Sequence, residues 1–144
     1  MLITLQSIID HELVNEGSLA EQFIGQHLLQ KAGEAPQLCY WLREGRSTNA
    51  EVDYVLSRGN MIIPVEVKSG KSGTLKSLQQ FVFHKQSNLA VRFDLNPPGL
   101  QQVKHKASIG SSREPVSFHL LSLPLYMVEE LPEIIDIMRI RGNP

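Results

Sequence analysis

Residues 50–68, AEVDYVLSRGNMIIPVEVK, constrain the fold more than any other segment of the chain. Two runs rich in β-branched and aromatic residues, AEVDYVLS and MIIPVEVK, are separated only by Arg58, Gly59 and Asn60. That spacing predicts two antiparallel strands joined by a tight turn. Residues 37–43, QLCYWLR, read as a strand before them, reached through a polar turn over residues 44–49. Three strands joined by turns this short form a meander.

The flanking segments supply helices. Residues 1–16 are mildly amphipathic, and Glu16-Gly17 is expected to interrupt them. Residues 19–31 give a stronger helix, with Ala20, Phe23, Ile24, His27 and Leu28 on one stripe. Gly33 is expected to stop it. Residues 74–86 read as a helix with Leu75, Leu78, Phe81 and Val82 on one side. Residues 89–95, LAVRFDL, alternate as a strand does, and Asn96-Pro97-Pro98-Gly99 ends them. Residues 99–115 are polar and are expected to form a long mobile loop. Residues 116–121 read as a last strand, and residues 125–141 as a helix broken near Pro132. The order predicts a mixed α/β fold: a meander, a crossover helix and a further strand in one sheet.

The chain has 144 residues, the size of one domain, and is long enough to bury a core without a metal or disulfide staple. Its single cysteine, Cys39, has no internal partner, which fits a reducing compartment. No apolar run is long enough to span a bilayer and no signal-peptide pattern follows Met1. The expected location is cytoplasmic. The net charge of -1 is unevenly spread. Residues 1–67 hold four basic and nine acidic residues, whereas residues 68–113 hold eight basic residues and one acid, Asp94. A basic middle is compatible with a polyanion, or with an ordinary solvated face.

Within VEVKSGKSGT (residues 65–74), Gly70-Lys71-Ser72 resembles the end of a phosphate-binding loop. Such a loop requires Gly, four residues, then Gly-Lys-Ser/Thr. Val65 stands where the first glycine is needed, and Glu66 would repel phosphate from within. No ATP site is expected in this chain. Glu66 and Lys68 carry the stronger signal. Two residues apart on a strand, they share a face. The short turn makes their strand a neighbour of the one bearing Asp53, although the sequence leaves the register open. Two carboxylates brought close repel, and a divalent cation removes that cost. Oxygen ligands suit Mg²⁺. Lys68 could hold a water or stabilise charge on a phosphate. The competing account makes all three surface charges near a sheet edge.

These segments resemble the PD-(D/E)XK nuclease superfamily, with its restriction-endonuclease-like core of helix, three strands, helix and strand. More closely, they resemble the C-terminal domain of unknown function that follows the ATPase module of prokaryotic AAA+ ATPases. The residues carrying this likeness are Gly17, Leu19 and Glu21; Tyr40-Trp41; Glu51-Val52-Asp53; Pro64 with Glu66-Val67-Lys68; and Pro124-Leu125-Tyr126. The resemblance covers about residues 17–126 of a single domain over residues 1–144. It implies a metal site of Asp53, Glu66 and the Val67 carbonyl for Mg²⁺ or Mn²⁺, with Lys68 as the catalytic lysine and Glu21 as an accessory acid. Ser18 and Glu21 also fit a helix capping box, which needs no metal. Gln79 follows where some members place a functional glutamine, and Lys71 and Lys76 stand ready for a nucleic-acid backbone. The implied activity is metal-dependent hydrolysis of DNA phosphodiesters. The alternative is a catalytically inactive DNA- or protein-interaction module. Expected partners are nucleic acid, DNA foremost, an AAA+ ATPase module and a second copy of the chain; a membrane is not among them.

Among the remaining candidates, the five histidines show no metal-ligand spacing. Cys39 is expected to be packed. Tyr40 and Trp41 are expected to pack against the first helix, with base stacking as the alternative.

Overall fold

A computed structural model of the chain describes residues 5–31, 38–44 and 49–142, with side chains from residue 16 onward. The first helix, α1, spans Leu5–Lys31. The meander follows as β1 (Cys39–Arg43), β2 (Ala50–Arg58) and β3 (Met61–Val67). Then come α2 (Lys76–Lys85), β4 (Leu89–Asp94), β5 (Gly99–Ile109) and β6 (Ser112–Pro124). A 3-10 segment, Leu125–Glu130, leads into α3, Leu131–Ile140. No helix among the described residues is long and apolar enough to cross a membrane.

The six strands form one mixed sheet in the order β1-β2-β3-β4-β6-β5. β1, β2 and β3 are antiparallel neighbours, as the short turns require. β3 and β4 are parallel, because α2 carries the chain back across the sheet. β4 is also parallel to β6, and β5 closes the far edge antiparallel to β6.

Alternation along the strands feeds two cores. Ile63, Val65 and Val67 of β3, with Val91 and Phe93 of β4, pack beneath α1, the 3-10 segment and α3. Val52, Ala90, Phe118 and Leu120 pack beneath Leu78, Phe81 and Val82 of α2. Arg58 braces the β2–β3 turn on α3 through a paired contact with Asp136, 3.0 and 2.5 Å long.

Several expectations are corrected. Glu16-Gly17 does not interrupt the first helix, which runs through both residues. One glycine costs a helix about 1 kcal/mol, less than starting a new helix costs. The polar stretch over residues 99–115 is not a loop. It forms β5 and the start of β6, a long hairpin closed by Ile109 opposite Ser112. Gly110 takes a positive φ of 63° in its two-residue turn. The last strand accordingly spans Ser112–Pro124 rather than residues 116–121. The helix expected over residues 74–86 begins two residues later, at Lys76. Pro132 falls in the first turn of α3, where its missing N–H has no bond to lose. Gly33, Gln37 and most of the turn expected over residues 44–49 lie outside the described residues.

Candidate active site

Lys68 continues the β3 line by one residue, and its N–H donates to the Phe93 carbonyl at 2.8 Å. Glu66 and Lys68 therefore project from the α2 side of the sheet, opposite Val65 and Val67 in the other core. Glu66 is 6% exposed. Its Oε1 accepts a bond from the Lys68 ammonium. Its Oε2 is buried with no hydrogen-bond partner. A buried carboxylate oxygen without a partner is costly in a folded protein.

Asp53 lies beside an irregularity in the β1–β2 pairing. Cys39 pairs with Val55, but Trp41 pairs with Val52, so two residues of β2, Asp53 and Tyr54, oppose one of β1, Tyr40. The extra residue is a β-bulge around Asp53 and Tyr54. Strict alternation breaks there: Val52 belongs to the α2-side core, whereas Tyr54 packs against the α1-side core. The β2–β3 pairing runs from Arg58–Met61 to Tyr54–Val65, and alternation puts Asp53, the next residue of β2, on the face of the Val55–Pro64 pair that Glu66 shares. Asp53 then reaches along the partner strand, and its Oδ2 accepts the Val67 N–H at 2.7 Å. A side-chain carboxylate thus occupies the place of a ladder acceptor at the open end of the hairpin.

Glu21 approaches from α1. Its backbone carbonyl accepts the Tyr54 hydroxyl at 2.8 Å, which ties the helix to the bulge. Glu21, Glu51, Asp53 and Tyr54 line a concavity of about 260 Å³. The capping-box account of Ser18 and Glu21 fails, because both lie inside a helix that begins at Leu5.

The electrostatics join these groups. Burial pushes the Asp53 carboxyl above its ordinary value; the Val67 N–H and Lys68 pull it back, and Glu51 adds to the rise. Burial likewise raises Glu66, opposed first by the bond from Lys68 and reinforced by the charges of Asp53 and Glu21. Glu21 is raised by burial and then by Asp53, with Lys68 opposing. Three acids feel one another, and Lys68 favours the charged form of all three. Such clustering of perturbed acids is typical of functional sites.

Loop contacts support the lysine. The place of a Cβ on Gly73 lies 3.3 Å from both Cδ and Cε of Lys68, so a side chain there would crowd the lysine stem. The Asn96 amide donates to the Lys71 carbonyl at 3.0 Å and to Asp94 at 2.9 Å. Asp94 is 1% exposed and also accepts the Asn96 N–H at 2.8 Å. Arg92 Nε lies 2.8 Å from Asp94 Oδ2. It is nevertheless without a hydrogen bond, so the contact is an ion pair in poor alignment. Sequence reasoning missed Arg92, Asp94 and Asn96. The signal was present: Arg92-Phe93-Asp94 repeats the charge-apolar-charge pattern of Glu66-Val67-Lys68, and Glu66 and Arg92 are register partners.

The structure brings Asp53, Glu66, Val67 and Lys68 together, with Glu21 beside them. Among the described residues no three His, Cys, Asp or Glu side chains form a ready cation cage. The oxygen groups expected as ligands are the Asp53 and Glu66 carboxylates and the Val67 carbonyl. Lys71 is exposed in the loop after β3, and Lys76 is exposed at the start of α2. Gln79 is only 9% exposed and lines, with Lys76, a groove against the β5–β6 hairpin.

The remaining candidates divide. Cys39 is exposed rather than packed. Trp41 packs on α2 rather than the first helix, edge-on to Phe81 with centroids 5.4 Å apart. Tyr40 is 70% exposed. His27 lies on α1 and pairs with Glu129 at 2.9 Å, and His119 lies in β6.

No curated protein matches the chain. Residues 16–119, from within α1 to within β6, match the domain of unknown function DUF4143. That span includes Glu21, Asp53, Glu66 and Lys68, and the chain belongs to this family.

Proposed function

We propose that this domain is a nuclease-like module that hydrolyses DNA phosphodiester bonds with Mg²⁺ or Mn²⁺ at the open end of the β2–β3 hairpin. One observation carries the reading: Glu66 is buried, has an oxygen without a partner, and lies beside Asp53 and Lys68. The donor set fits a hard divalent cation, since all the atoms concerned are oxygens. Asp53, Glu66 and the Val67 carbonyl would hold it. When bound, a divalent cation supplies charge neutralisation for the acids and polarisation of a phosphoryl oxygen.

The protein's own residues do the rest. Asp53 keeps its place through the Val67 N–H. Lys68 offers donors that can orient a water or take up developing charge on a phosphate oxygen. Glu21 adds negative charge on the helix side, where it can order water around the site. The likeness to PD-(D/E)XK nucleases and to the domain following AAA+ ATPase modules supports the same assignment.

The Glu66–Lys68 ion pair favours a second reading, because it neutralises one acid without any cation. On that reading the domain is a catalytically inactive module contacting DNA or an ATPase partner. Cleavage of plasmid and single-stranded DNA with Mg²⁺ or Mn²⁺, beside Asp53→Ala and Lys68→Ala, separates the two. Cleavage lost in both variants supports the nuclease. No cleavage and no metal-dependent heat shift in the wild type leaves the interaction module. Cleavage that survives both substitutions refutes the residue assignment.

A further inference from the structure

The β5–β6 hairpin carries charge that the proposed site does not use. Residues 99–117 contain Lys104, Lys106 and Arg113 against one acid, Glu114. Alternation sets Val103, Ala107 and Ile109 toward the α2-side core, so Lys104, Lys106 and Ser108 point the opposite way. Arg113 is the register partner of Ser108 and shares its face. Three cations thus stand on one face of a two-stranded ribbon, along a groove of about 730 Å³. Among the described residues none of the three is in a salt bridge. Glu114 bonds Ser112 instead.

Lysine on an edge strand often serves only to block edge-to-edge pairing. Such blocking requires no common face and no arginine on the inner strand. Here the inner strand contributes Arg113, and the cations extend over about 13 Å from Lys104 to the Ser108–Arg113 pair. That length matches about four base-pair steps of a duplex. The opposite face of the ribbon borders α2. On that face Gln80 donates to the Ser108 carbonyl, and His105 and Ala107 line a second groove with Lys76 and Gln79.

We infer that the outward face of the β5–β6 hairpin, through Lys104, Lys106 and Arg113, binds the phosphate backbone of double-stranded DNA. The inference rests on the proposed function only for the kind of ligand. Two features select the duplex. Residues 99–117 contain no Phe, Tyr or Trp, so the ribbon lacks the stacking platform that single strands use. The three-cation face also lacks the large apolar side chains with which a membrane-binding surface inserts.

The test measures binding apart from cleavage. The 144-residue chain is titrated in EDTA against a fluorescent 20-base-pair duplex (length about five times the ribbon's contact) and the matching single strand. Wild type should bind the duplex more tightly, with log K falling against log salt at a slope of about -3. The double variant K104A/K106A should lose about tenfold or more in affinity at low salt and about 2 from the slope; Arg113→Ala should lose about 1. K104R/K106R should bind as wild type, which guards against a folding defect. Asp53→Ala should bind normally whether or not it cleaves, so failure of the ribbon and failure of the active site are told apart. No duplex binding by the wild type, a preference for the single strand, or an unchanged slope in K104A/K106A would each overturn the inference.

Discussion

Replacing Glu66 by Gln keeps the shape of the side chain and removes its charge. Without divalent cation the change has two opposed parts. The charge-assisted bond from Lys68 is lost, about 1.5–3 kcal/mol when fully buried, and less here because the lysine side chain is 33% exposed. Against that, a carboxylate raised by burial no longer has to be held charged. The melting temperature in EDTA should therefore move by no more than about 4 °C. Divalent cation separates the proteins. A ligand at one hundred times its dissociation constant stabilises the fold by about 2.7 kcal/mol. For a chain of this size that raises the melting temperature by about 5–11 °C. The assay is thermal melting followed by circular dichroism, in EDTA and across a Mn²⁺ titration, for wild type, Glu66→Gln and Asp53→Asn. Wild type should shift, and neither variant should. A full shift retained by Glu66→Gln refutes the argument that its unpartnered oxygen is a cation ligand.

If the proposed function holds, Lys68→Met should lower the cleavage rate about 10²–10³-fold while keeping the Mn²⁺-induced heat shift, since the role proposed for the lysine is on the phosphate side of the reaction; loss of the heat shift would make it a structural support instead. Stability in EDTA should fall as pH rises from the ordinary carboxylate values of 3.8 and 4.5 toward the raised values of Asp53, Glu21 and Glu66, because the folded chain there holds protons that the unfolded chain releases. Asp136, lowered by its bond from Arg58, acts in the opposite sense; the difference between wild type and Glu66→Gln isolates the site, and a difference rising with pH contradicts this sign. Phe81→Ala should cost about 3–5 kcal/mol, as Phe81 is 1% exposed and supports Trp41 edge-on; a loss below about 1 kcal/mol in urea unfolding would show that α2 does not close this core.

The meander and the crossover helix were legible because their signals are local. Turn residues at 58–60 and apolar alternation on either side define a hairpin whatever surrounds it. The β5–β6 hairpin was not legible, because its outward face is polar and its inward face holds small or widely spaced apolar residues, Val103, Ala107 and Ile109. A strand whose apolar residues meet only a helix on one side gives a faint alternation, and polarity dominated the expectation. Trp41 was assigned to the wrong helix for a related reason: the sequence shows that it is apolar, but only its pairing with Val52 sets which layer it enters.

The site divides along the same line. Glu66 and Lys68 share a face because a strand has a period of two, so the sequence alone determined that pair. The tight turn determined that Asp53 lies one strand away. Whether Asp53 meets them depends on the β2–β3 register, which neither strand fixes by itself. The burial of Glu66, its unpartnered oxygen and the raised carboxyls are likewise tertiary facts. They arise from the sheet, α1 and α2 excluding water around charges that the sequence merely places in order.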